Sequence, residues 1–149
     1  MSWIAPITDR TAADITNRTA RGFFNASDIN RIEGNIAWLR NELARHNHFV
    51  EINTVTGWLA TSVPTIADLQ RVRNNIDAIA AQVRLARPDF RVNMQTVNNT
   101  AFPRLDFNTV NRLEINIYLL RQLIDRMSTV YRQASFKSGQ QLFLSQRRV

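Results

Sequence analysis

The sequence predicts a mainly α protein: a compact helical bundle of three repeated helices with long connectors, and a short β element at the C-terminus. Three observations predict it. One short segment occurs three times, at offsets of 40 and 41 residues. Apolar residues around each copy recur at steps of three and four, the spacing that lines one helical face. A residue able to cap a helix precedes each copy. With 149 residues and 44% hydrophobic composition, the chain suits one domain that can bury its own core.

Residues 1–24 read as an N-terminal arm. Trp3, Ile4 and Ile7 suit an extended docked segment, and Thr11 to Arg21 suits a short helix whose start Pro6 limits. Residues 25–134 hold the three repeats. The first is Ile29-Asn30-Arg31-Ile32-Glu33-Gly34-Asn35-Ile36, the second Leu69-Gln70-Arg71-Val72-Arg73-Asn74-Asn75-Ile76, the third Val110-Asn111-Arg112-Leu113-Glu114-Ile115-Asn116-Ile117. Their stripes run Ile29, Ile32, Ile36, Leu39, Leu43; then Ile66, Leu69, Val72, Ile76, Ile79, Val83; then Val110, Leu113, Ile117, Leu120, Ile124, Met127. Three such faces can bury one another, each aliphatic side chain contributing about 1.5–3 kcal/mol before entropy is subtracted. Caps and stripes place helices near 27–46, 65–86 and 107–133. Asn25 or Ser27 caps the first, Thr65 with Asp68 forms a capping box on the second, and Asp106 or Asn108 caps the third. The connectors 47–64 and 87–106 are long for a bundle and wrap the surface. Residues 135–149 form the tail: Ser135 to Gly139, followed by Gln141 to Leu144, reads as a turn and a short strand.

Arg31 and Asn35, Arg71 and Asn75, and Arg112 and Asn116 stand four apart, so each pair shares a helical face. Each Asn falls just before a stripe residue, at the border of the core. Two roles fit: tying each helix to its own connector, or forming a repeated docking surface for a partner.

The formal charge is +7, and of the nineteen basic residues eighteen are Arg, with Lys137 the one Lys. A basic excess points to nucleic acid or to an acidic partner. Arginine bias favours planar, multi-donor protein contacts over a patch that only neutralises phosphates. The most basic stretch, Arg71 to Arg91, is interrupted by Asp77 and Asp89, and the aromatics form no RNA-binding motif.

Catalytic signals are weak. The chain has no cysteine, which excludes disulfides, thiolate metal sites and a cysteine nucleophile. It has no glycine-rich phosphate loop, no Gly-x-Ser-x-Gly and no His-Glu-x-x-His. His46 and His48 are a two-ligand set without a third and read as exposed histidines at a helix end. No catalytic, cofactor or metal residue is therefore assigned, and a hydrolase or lyase would need a deep polar pocket that the sequence does not reveal. The first residues lack the basic and apolar regions of a signal peptide, and no apolar run approaches the length of a membrane span.

The segments Phe24-Asn25-Ala26-Ser27-Asp28-Ile29-Asn30-Arg31-Ile32-Glu33, Gly57-Trp58 to Leu69, and Pro103 to Glu114, with the opening Trp3-x-x-Pro6-x-Thr8-Asp9-Arg10-Thr11, carry a resemblance. Together they resemble small structural proteins of tailed phages and prophages, mainly of Gram-positive hosts. Arg73 in place of Glu and the stretch Asn17 to Phe23 depart from that pattern. The resemblance implies a non-enzymatic virion component in a tail, baseplate or fibre apparatus, made in the host cytoplasm, with other virion proteins as partners and a symmetric, multi-copy setting. On this reading Trp3 and Ile4 in the arm and Phe136, Leu142 and Phe143 in the tail are docking elements. The alternative is a small basic phage-encoded regulator that binds nucleic acid.

Overall fold

A computed structural model describes the backbone of residues 2–22, 24–97 and 106–146, with side chains as far as Ser135. Its helices are α1 (Ala12–Thr16), α2 (Ala26–Arg45), α3 (Ile66–Ala86) and α4 (Phe107–Gln146). The first three each begin on a reciprocal capping box. Thr11 pairs with Asp14, Asn25 with Asp28 and Thr65 with Asp68, so donors at each helix start are satisfied locally. On α4 the Asp106 carboxylate accepts from the Thr109 amide.

α2, α3 and α4 each pack against the other two. The stripes meet at the centre: Ile36, Leu39, Leu43, Ile79, Val83, Ile117, Leu120 and Met127 have no measurable exposure. Ile66 departs from its stripe. It is the first residue of α3 and remains half-exposed, because the bundle has not closed around that end. The domain is therefore a three-helix bundle, with α1 a single-turn outlier that buries none of its residues.

The C-terminal turn and strand are not formed. α4 runs helical through the whole of 135–144 and ends at Gln146, giving 40 residues, or about 60 Å. One glycine costs a helix only about 1 kcal/mol, and a helix already nucleated adds residues one at a time, so Ser138-Gly139 without proline does not stop it. α2 ends differently. Asn47 takes a left-handed φ of 61°, the Asn47 amide bonds the Ala44 carbonyl and the His48 amide bonds the Leu43 carbonyl. That is a Schellman-type stop built on asparagine rather than glycine.

The connectors run as extended chain across the outside of the bundle. We call residues 2–11 arm 1, residues 50–58 arm 2 and residues 91–97 arm 3. Gly57 has φ +80°, a conformation open to glycine, and it turns arm 2 so that Trp58 reaches α2.

Candidate functional site

The repeated asparagines hold the arms. Asn35 accepts from the Ile4 amide at 3.0 Å and donates to the Ile4 carbonyl at 2.7 Å. Asn75 does the same to Asn53 at 3.1 and 2.7 Å, and Asn116 to Gln95 at 2.6 and 3.0 Å. Each side-chain amide thus replaces the peptide unit of a neighbouring strand and satisfies both backbone groups of one arm residue.

A second asparagine, five residues earlier in the repeat, clamps a different arm. Asn30 on α2 brackets Trp58 of arm 2 at 3.0 and 2.9 Å. Asn111 on α4 brackets Arg10 of arm 1 at 3.2 and 2.9 Å. Gln70 holds the equivalent place on α3. Each arm begins on the helix of its own repeat, and arms 1 and 2 then cross to a neighbour, arm 1 from α2 to α4 and arm 2 from α3 to α2. Of the two roles the sequence offered for the repeated asparagines, tying each helix to its own connector is the one Asn35, Asn75 and Asn116 fill, while the crossing of arms 1 and 2 to a neighbouring helix was not legible there.

Beneath the arms lie the charges. Under arm 1, Arg31 reaches Glu114 through Nε at 3.0 Å and through a terminal nitrogen at 2.6 Å, and also reaches Asp28 at 2.6 Å. Arg10 enters from the arm to bond Asp28 and Glu114, both at 2.8 Å, while the Ile7 amide donates to Glu114 at 2.7 Å. All four charged side chains are buried. Burial opposes the Arg31 charge, but the bonds to Glu114 and Asp28 outweigh it and raise its pKa above the ordinary arginine value.

Under arm 2, Arg71 bonds Glu33 at 2.5 Å, Asp68 at 3.3 Å and the Asn53 carbonyl at 3.1 Å. Trp58 stands where arm 1 has Arg10, so Glu33 has fewer partners than Glu114. Its Oε2 and the Trp58 Nε1 are buried without hydrogen-bond partners among the described residues. Burial pushes the Glu33 carboxyl above its usual range, and the Arg71 guanidinium, with the Val55 amide of arm 2, opposes this only in part.

The α3–α4 seam breaks the series. Its acidic position is Arg73, which approaches Asp77 one turn along α3 at 3.6 Å. Arg112 turns outward and donates to the Thr96 carbonyl of arm 3 at 3.1 Å. Arg31, Asn35, Asn75 and Asn116 are buried, Arg71 is half-buried and Arg112 is exposed.

Trp3 packs into the domain. Its ring meets Trp38 edge-on at 5.2 Å, and the Arg121 guanidinium lies over both rings at 4.6 and 5.2 Å. Ile4 is held through its backbone while its side chain is 54% exposed. The side chains of Phe136, Leu142 and Phe143 lie outside the described residues.

At the other end of the bundle, an open groove of about 430 Å³ is lined by Glu42, Arg45, His46, Ser128, Tyr131, Arg132 and Ser135. The Schellman stop of α2 aims both histidines at α4. His46 Nε2 lies 2.7 Å from Ser128 Oγ, and His48 Nε2 lies 2.9 Å from the Tyr131 hydroxyl. The histidines are half-buried and tie α2 to α4, correcting their reading as exposed helix-end residues. A serine–imidazole contact is half of a nucleophilic site. The other half needs a group orienting the ring and donors for an oxyanion. Glu42, the acid of this groove, is paired with Arg45 at 3.0 Å. Among the described residues, no group of three or more His, Asp or Glu is placed to hold a metal, and no helix is long and apolar enough to cross a membrane.

No family model, curated protein or solved structure matches the chain.

Proposed function

We propose that this chain is a non-enzymatic structural protein of a tailed-phage virion, an adaptor or assembly module in the tail, baseplate or fibre apparatus. The observation that carries this reading is α4. α2 ends opposite Ser128, and α4 continues to Gln146, about 27 Å further. A bundle stiffened by clamped arms, with one helix projecting from it, suits a part that joins other proteins. The partners are other virion proteins in a symmetric assembly, where a modest contact is repeated many times. The sequence resemblance supports the same reading.

Mass spectrometry of purified virions tests it: the chain should be present at fixed stoichiometry to a tail or baseplate protein. A chain truncated after Ala134 should still fold but be lost from particles. Absence of the full-length chain from virions, with micromolar and steeply salt-dependent binding to random duplex DNA, would instead identify the basic nucleic-acid-binding regulator.

A further inference from the structure

We infer that the groove holding arm 1 is a receptor for the same arm of a second copy of this chain, and that copies exchange arms when crowded together. This inference does not depend on the virion reading.

The receptor is specific and cannot be left empty cheaply. Asn35 and Asn111 each clamp one arm residue through its backbone, and Arg10 completes a buried cluster with Asp28 and Glu114. Without Arg10, the two carboxylates would share one guanidinium, that of Arg31, out of water. Arm-for-arm exchange avoids this, because each bond between arm and groove broken within one copy forms again between the two. Linker entropy and the exposed local bonds of segment 11–24 that extension gives up, among them those of Thr19 to Asp14 and of Arg21 to Asp9, then separate the two arrangements.

The linker is long enough. The Arg10 guanidinium touches Asp28 in the first turn of α2, so the ends of segment 11–24 lie within a side chain's length of each other. Those fourteen residues can nevertheless span about 45 Å when extended. The described residues of the segment fold into an exposed knob. α1 buries nothing, the Thr19 amide and hydroxyl bond back to Asp14, and Gly22 sits so close to the Asp14 carbonyl that a Cβ there would lie 2.3 Å from its oxygen. Arm 2 differs, because it starts four residues after the α2 cap His46 and has no comparable slack.

The test uses the absence of cysteine. Full-length Ile4→Cys, labelled with benzophenone maleimide at its one thiol, is mixed with the ¹⁵N-labelled natural chain and irradiated. Exchange predicts cross-links from position 4 of the light chain to the heavy-chain α2 peptide containing Asn35. Their ratio to intrachain cross-links should rise about tenfold for each tenfold rise in concentration up to the millimolar range. Deleting residues 12–20 leaves a linker of about 16 Å reach. That chain should remain folded by circular dichroism and lose the interchain product at least tenfold. Cross-links confined to the light chain at every concentration, interchain cross-links elsewhere than the Asn35 region, or an undiminished product in a folded shortened chain would each overturn the inference. If the shortened chain does not fold, the full-length concentration series decides alone.

Discussion

A clamping asparagine does with one side-chain amide what an adjacent strand does with a peptide unit. Removing it strands two backbone groups of the arm as well as the hydrogen bonds themselves. Asn35 is 1% exposed, so Asn35→Ala should cost about 2 kcal/mol and lower Tm by about 4–8 °C. Asn35→Asp keeps the acceptor, loses the donor and buries a charge, and should cost more; denaturant unfolding of both variants checks the order. Glu33 gives a pH signature. Its folded pKa is raised by burial, so the folded state holds a proton that the unfolded chain releases from pH 4.5 upward. The stability tied to that proton is present below the unfolded pKa and is lost as pH rises through the folded one. Glu33→Gln carries no such dependence. Its stability relative to the natural chain should therefore improve from pH 4 to pH 7, as measured by urea unfolding of both at each pH. The depressed carboxyls Asp14 and Asp89 titrate alike in the two chains and cancel, whereas Asp68 shares Arg71 with Glu33, so Glu33→Gln leaves it that guanidinium alone, lowers it further and acts in the same direction.

Seams are the next scale up. In two of them an arginine of one helix meets a glutamate of the next, and in the third Arg73 occupies the acidic place. Reversing the charge at this place should therefore have very unequal consequences on the two kinds of seam. Arg73→Glu puts a carboxylate on the seam of the exposed Arg112 and should change stability by less than about 1 kcal/mol. Glu114→Arg puts a third guanidinium beside Arg10 and Arg31 and should cost at least about 4 kcal/mol, a large share of the roughly 5–15 kcal/mol that holds a domain folded. Thermal melts of the pair check this. At the same scale, the caps and stripes of α2 and α3 were legible because they depend on neighbours in sequence. The end of α4 was not. Serines and a glycine read as a breaker locally, but they do not stop a helix already nucleated by the packed turns before them.

For the molecule as a whole, the pairing of arms changes what the +7 charge means. Arg10, Arg31 and Arg71 sit in ion pairs beneath the arms, Arg121 covers Trp3 and Trp38, and Arg87 and Arg126 flank Phe90. Arginine is preferred over lysine because a planar guanidinium can bond several carboxylates or lie flat on a ring. Truncation probes the whole molecule directly. Among the described residues, none beyond Met127 is buried. Ending the chain after Ala134 should therefore move Tm by only a few degrees, whereas ending it after Ile124 removes Met127 and the Ser128 and Tyr131 contacts and should lower it by more than 10 °C.

By itself the sequence determined the three helices, their buried faces and their capped starts, since apolar periodicity and capping are local properties. It also marked the repeated Arg and Asn as border residues. Only the tertiary structure decided what they hold. Asn111 is 101 residues from Arg10, and Arg31 is 83 from Glu114. Contacts of that separation exist only once three stripes have closed on one core and brought each arm over the seam between two helices.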